Sequence, residues 1–443
     1  MPSVFIKSPL AILADEAEGG IVVRNGRIVE CVTAGRRPAA AFDEIFDAAR
    51  HVVLPGLINT HHHFYQTLTR AHPAAINKDL FHWLRALYPV WQRLTPEAHR
   101  LATRLALVEL MMSGVTTTSD HHYLFPSGLD DAMDVQVEEA RALGIRLMLT
   151  RGSMNLSEKD GGLPPDSVVQ DEDTILADCE RVLGRYHQRG EGAMVQVALA
   201  PCSPFSVTRS LMCACGEMAE RHDCRLHTHL GETEDENAYC VSKYGMRPLD
   251  YLEETGWLTQ RTWLAHGIHF SDSEIARMGK HGLGVCHCPA SNMVLASGQC
   301  RTRDLEAAGV AVGLGVDGSA SSDSSNLMEN VRHALMINRL TYDASVSHLD
   351  ALRWATKGSA RCLGRDDIGE IAVGKQADLA LYTLDELRFS GVGDPIAGLV
   401  LSGAHKADRV MIAGRWTVID GMPAGVDVSA LRAAHGAAAK TFL

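Results

Sequence analysis

Nowhere does this chain gather basic charge; its longest basic run is the Arg-Arg of "GRR", residues 35–37. Lys and Arg total 42 against 54 Asp and Glu, a net charge of 42 − 54 = −12. A protein that grips a phosphate backbone needs a basic surface, so a nucleic-acid polymer is not the expected partner, although a free base or nucleoside remains open. No apolar run approaches the ~18–20 residues of a membrane span. The short apolar patch near the start is interrupted by Pro9 and Asp15 and follows no basic segment, so no signal peptide is expected. The eleven cysteines have no framework spacing, and Cys213/Cys215 and Cys286/Cys288 are C-x-C pairs rather than C-x-x-C. In a long chain this pattern excludes a disulfide scaffold and fits reduced thiols in a cytoplasmic protein. Internal repeats and low-complexity segments are also lacking.

What the chain does have is length and apolar content: 443 residues, 46% hydrophobic, enough for a large core and too much for one small domain. Residues 1–54 read as short strands and turns, and "GIVVRNGRIVECV" is a hairpin around Asn25-Gly26. Residues 369–443 have the same texture, in "GEIAVGKQADLALYTL" and "RVMIAGRWTVIDG". The two ends are expected to pair into one small β-sandwich. Between them, residues 55–368 alternate eight short apolar strands with helical segments. That is the pattern of a (β/α)₈ barrel, an α/β fold of TIM type. The clearest helix is "TPEAHRLATRLALVELMMSG", with Thr95 as N-cap, Pro96 at its first position, Gly114 at its end and a stripe of Leu101, Leu105, Val108 and Met112. The polar loop "SEKDGGLPPDSVVQ" after the third strand is a candidate lid or substrate loop.

Barrel active sites lie at the C-terminal ends of the strands, and there this sequence places ionisable groups. The first strand runs into His61, His62 and His63. Alternation puts His61 and His63 on one face and His62 on the other. The fifth strand, "LHTHLGE", carries His227 and His229 on one face, with Glu232 just beyond. The sixth strand ends in His266 and the eighth in Asp317. Each residue alone is a common loop or cap residue; the ordered series is not. Nitrogen and carboxylate ligands suit one Zn²⁺ per chain, or another divalent ion, with a position left open for water.

These residues, with "PGLINTHHH", "HTHLGE", "HCPASNMVLASG", "GVDGSASS" and "GEIAVGKQADLALY", give a sequence that resembles the amidohydrolase superfamily, in its mononuclear aminohydrolase branch. Through "HFYQTLTRA", "TTTSDHHY" and "RGSMNLSEKDGGLPPDSVVQ" it is most similar to the 8-oxoguanine deaminase group. The resemblance implies that His61, His63, His229 and Asp317 hold the metal. It implies that Glu232 and His266 act on the substrate, that Asp317 doubles as the base, and that Gln66 touches the substrate. His227 sits deeper and reads as a packing residue behind the ligands, and the Cys286/Cys288 pair reads as core thiols. The roles of His121, His122 and His287 stay open. The expected reaction is hydrolytic deamination of 8-oxoguanine to urate and ammonia by a cytoplasmic homo-oligomer with no membrane partner. Guanine, isocytosine-like pyrimidines and hydroxy-s-triazines are the runner-up substrates.

Three rivals read less well. Binuclear ring-opening hydrolases of this superfamily use a lysine on the fourth strand, where this chain has "AMVQVALAPCS". Base-flipping deaminases carry H-x-E with P-C-x-x-C, and "PCSPF" lacks the second cysteine. A non-catalytic metal-binding protein would not need to keep both Glu232 and His266.

Overall fold

A computed structural model describes residues 2–443. Eight parallel strands pair in sequence order. We number them β1 (Leu57–Asn59), β2 (Val115–His122), β3 (Arg146–Ser153), β4 (Val195–Pro201), β5 (Arg225–Leu230), β6 (Thr262–His266), β7 (Gly284–His287) and β8 (Ala311–Leu314). The ends of the sheet approach each other through Thr60 N–H to Leu314 O (3.0 Å) and Val316 N–H to Asn59 Oδ1 (2.9 Å). This is the expected barrel. Ile58, Met148, Ala198, Trp263, Cys286 and Ala311, each from a different strand, pack together in one buried cluster. Large side chains (Ile58, Met148, Trp263) and small ones (Ala198, Cys286, Ala311) fill it together, so the barrel leaves no pore. Cys286 and Cys288 lie in the same cluster as free thiols, 3.7 Å apart.

The run that reads as one first strand is in fact two. His51–Pro55 pairs with Leu379–Thr383 in a six-stranded sheet outside the barrel, and only Leu57–Asn59 enters the barrel. The break falls at Gly56, where a Cβ would meet the Thr116 side chain at 2.3 Å, so only glycine lets the chain pass. The six-stranded sheet mixes both ends of the sequence: Ala11–Ile12 and His51–Pro55 with Leu379–Thr383, Arg409–Ile412, Arg415–Ile419 and Met422–Pro423. A four-stranded sheet contains Gly20–Arg24 and Arg27–Val32, whose turn at Asn25 and Gly26 has the positive φ expected of Asn-Gly. Barrel and sheets are bolted together by the buried pair Arg146–Asp378, Nε to Oδ2 2.6 Å.

Two helices matter for the site: α1 (Leu80–Trp91) and α2 (Pro96–Met112). Thr95 caps α2 as expected, accepting from Ala98 N–H. Its buried face is shifted from the expected stripe. Of that stripe Val108 is buried, but Leu101, Leu105 and Met112 are only half buried, whereas Ala98, Ala102, Ala106 and Leu110 are covered, because alanine lets the helix approach its neighbours closely. The C-terminal segment also departs from expectation. After Pro423 it leaves the sheets and forms a helix, Val428–Ala439, packed on α2 and on the 3₁₀ turn Phe64–Thr69. There His435 Nε2 lies 3.1 Å from Thr67 Oγ1, and the Phe442 carbonyl accepts from His72 Nε2 (3.1 Å) and Arg93 Nη2 (2.9 Å). Apolar burial drives this docking: Leu431 and Phe442 are covered by it.

Candidate active site

At the C-terminal ends of the strands, four buried side chains converge. His61 Nε2 and His63 Nε2 each lie 3.3 Å from Asp317 Oδ1, and His229 Nε2 lies 3.3 Å from His63 Nε2. Hydrogen bonds fix the orientation of each ring. His63 Nδ1–H donates to the His121 carbonyl (2.7 Å), and His229 Nδ1–H donates to the Cys202 carbonyl (2.7 Å). His227 Nδ1–H donates to the Trp263 carbonyl (2.8 Å), so its Nε2 accepts from His61 Nδ1–H (2.8 Å). In His61, His63 and His229 the proton is thereby held on Nδ1, and the Nε2 lone pair faces the common centre. His61 Nε2 is buried there without a hydrogen-bond partner.

These are the properties of a metal site. Tetrahedral ligands at ~2.0–2.1 Å from zinc stand about 3.3–3.4 Å from one another, which matches the separations here. Burial presses the His61 imidazole well below its usual pKa and lowers His229 to about 3, so both are neutral, as metal ligation requires. His61, His266 and Asp317 also bring ligand atoms within 4.8 Å of one another, as do His61, His121 and His229. His121, whose role the sequence left open, stacks on His229 at 4.6 Å and donates from Nε2 to the Ala200 carbonyl (2.8 Å). His62 points the other way, to Ser325 Oγ (2.9 Å). His122 and His287 are buried with both ring nitrogens unpartnered.

Over this centre stand Glu232 and His266. His266 Nε2 lies 3.5 Å from Glu232 Oε2 and 3.9 Å from Asp317 Oδ2. Its Nδ1–H donates to Asn292 Oδ1 (2.9 Å). Glu232 is shaped by Glu236, whose carboxylate accepts from the Gly231 and Glu232 amides (both 2.9 Å). Burial, reinforced by the charge of Asp317, raises the Glu232 carboxyl well above its usual pKa. His266 and Asp317 both adopt positive φ, 70° and 63°. Such strain in non-glycine residues gathers at functional sites, where the surrounding fold holds it.

The centre opens into a cavity lined by residues from α1 and from the ends of several strands. Gln66 lines it, on the 3₁₀ turn Phe64–Thr69, with Oε1 accepting from Ala320 N–H (3.3 Å). A Cβ on Gly318 would sit 1.9 Å from that Oε1, so glycine is what gives the amide its place. The remaining wall is apolar and aromatic: Leu80, Trp83, Leu84 and Tyr88 from α1, with Phe205 and Leu295. Sequence reading missed this wall. The signal was present in "LFHWLRALYPVW", where Leu80, Leu84 and Tyr88 recur every four residues. The loop 157–170, expected as a lid or substrate loop, does not line the cavity. It is tied down instead through Leu163 N–H to Phe205 O (3.0 Å) and Tyr239 Oη–H to Gly161 O (2.9 Å).

Residues 52–417 match the amidohydrolase family. The chain belongs to that family. This amidohydrolase is 60% identical over the full length of both chains to the 8-oxoguanine deaminase of Pseudomonas aeruginosa. It is 36% identical to the hydroxydechloroatrazine ethylaminohydrolase of Pseudomonas sp. (strain ADP), over 89% of this chain and 83% of that one. Among solved structures, the atrazine chlorohydrolase of Arthrobacter aurescens TC1 complexed with zinc superposes with a TM-score of 0.92, at 31% identity, covering 98% of this amidohydrolase and all of that chain.

Proposed function

We propose that this amidohydrolase is a zinc-dependent deaminase that converts 8-oxoguanine and water to urate and ammonia. The observation that carries the substrate is the 60% identity, end to end, with the 8-oxoguanine deaminase. The zinc-complexed neighbour supports the choice of metal. His61, His63, His229 and Asp317 would hold the ion, whose bound chemistry is to lower the pKa of water from 15.7 towards ~7.

The side chains supply the rest. Asp317, whose carboxylate faces the centre, is the acceptor for the proton that water loses as it attacks C2. Glu232, kept protonated by burial, donates to the neighbouring ring nitrogen, which lets C2 become tetrahedral. His266, fixed by Asn292, faces both carboxyl groups and stabilises the charge that develops on the attacking oxygen. The exocyclic amine leaves as ammonia once it is protonated. Gln66 and the aromatic wall orient the flat ring, and positioned proton transfer of this kind contributes roughly 10²–10⁴-fold.

The test is ammonia release from purines, pyrimidines and hydroxy-s-triazines, with metal quantified in the same preparation. The expected result is about one zinc per chain and the highest kcat/KM for 8-oxoguanine. Comparable turnover of guanine, or a much better triazine, would refute the substrate while leaving the deaminase in place.

A further inference from the structure

The α1 wall carries hydroxyl and indole groups as well as apolar surface, and their hydrogen bonds are unequal. Trp83 Nε1–H is already committed to the Ala320 carbonyl (3.2 Å). Ser321 Oγ, also on the cavity wall, donates to the Gly318 carbonyl (3.1 Å) and accepts from Ser291 Oγ (2.9 Å). Tyr88 differs. Its side chain lines the cavity and is 1% exposed, yet its hydroxyl has one partner, the Met154 thioether sulfur at 3.8 Å. A thioether is a weak acceptor, and a phenol both donates and accepts. A buried hydroxyl left so poorly satisfied is costly unless a ligand completes it.

The position of Tyr88 indicates which part of the ligand that is. The groups around the metal centre come from strand ends, and Tyr123 stands edge-on to His63 at 5.2 Å on that side. Tyr88 comes from α1, its ring beside Trp91 (6.0 Å) and its hydroxyl against Met154, with no hydrogen bond to the metal-centre residues. In a purine, C2 and C8 lie at opposite ends of the long axis. With C2 at Asp317 and Glu232, the C8 end lies farther from the metal, inside the cavity that Tyr88 lines. We propose that Tyr88 is a specificity-determining residue whose hydroxyl hydrogen-bonds the C8 carbonyl of an 8-oxopurine. This rests on the substrate reading above. Guanine has C8–H at that position and would leave the hydroxyl unpaired, and sites built for a polar group reject analogues that lack it.

The experiment compares kcat/KM for 8-oxoguanine and guanine in zinc-loaded wild type and Tyr88→Phe. It adds inhibition by urate and xanthine, the two products, which differ at C8 in the same way. Tyr88→Phe is expected to lower kcat/KM for 8-oxoguanine by about ten-fold, mainly through KM, and that for guanine by less than about three-fold. Urate should lose its advantage over xanthine by a similar factor. Equal losses for both substrates, or an unchanged urate-to-xanthine ratio, would overturn the assignment of Tyr88. A wild type without preference for 8-oxoguanine would overturn the substrate reading and this inference with it.

Discussion

Replacing His227 by phenylalanine tests whether the fold sets the chemistry of the metal centre from behind. His227 makes no direct approach to the ligand atoms of the site. Its ring stacks on Trp263 at 4.3 Å with planes 14° apart, and its Nε2 accepts from His61 Nδ1–H. Phenylalanine keeps the stacked ring and removes both nitrogens. The Trp263 carbonyl and His61 Nδ1–H then lose their partners, at about 1–3 kcal/mol for each buried group left unpaired. Without an acceptor behind it, the His61 proton is free to move to Nε2, the atom that faces Asp317. Groups that orient a metal-bound histidine are worth about 10–100-fold in metal affinity, or about 1.4–2.8 kcal/mol. Competition with a chromophoric chelator should therefore show zinc dissociation 10–100-fold more favourable in the variant. Urea unfolding of the metal-free protein would report the separate cost of the unpaired groups. A zinc Kd within about two-fold of wild type, which is smaller than one lost hydrogen bond, would refute the idea that His227 fixes His61.

Three further outcomes are expected. Glu232→Gln should keep its zinc and lose about 10²–10⁴-fold in kcat; loss of zinc, with activity restored by excess metal, would instead place Glu232 among the ligands. Gly318→Ala drives a methyl group into Gln66 Oε1, and a misplacement near 1 Å can cost ~10²-fold, so kcat/KM should fall steeply at unchanged zinc content; unaltered kinetics would remove Gln66 from substrate binding. His99, whose Nε2 lies 3.1 Å from the Ala132 carbonyl, is lowered by burial from 6.5 to about 4. Its folded pKa lies below the unfolded one, so its contribution is complete above 6.5 and is lost as pH falls through about 4. At pH 4 that loss is about 3 kcal/mol. Stability of the metal-free protein to urea should fall less steeply between pH 6.5 and 4 in His99→Gln than in wild type, and identical slopes would contradict the assignment.

The barrel and its polar rim were legible because an apolar strand that ends in His or Asp breaks its own pattern. His61, His63, His229, Glu232, His266 and Asp317 stood out for that reason. The structure brings them together, with Gln66 on the cavity wall beside them. Other features depend on contacts distant in sequence. Nothing local marks the left-handed backbone of His266 and Asp317. The α1 wall looks like any amphipathic helix until its neighbours are known. The passage from sheet to barrel at Gly56 is hidden inside a continuous apolar run, because the side chain that forbids a Cβ there belongs to Thr116. The C-terminal helix was hidden by the β-rich segment before it.

That last helix bears on the order in which the molecule can become competent during synthesis. Thr67 sits next to Gln66, and its partner His435 is 368 residues further along the chain. His72 and Arg93 wait for Phe442, 370 and 349 residues further along. Every residue at the metal centre has left the ribosome well before the clamp on the substrate turn exists. A chain ending before His435 would therefore carry every residue of the metal centre and lack the contact that holds Thr67.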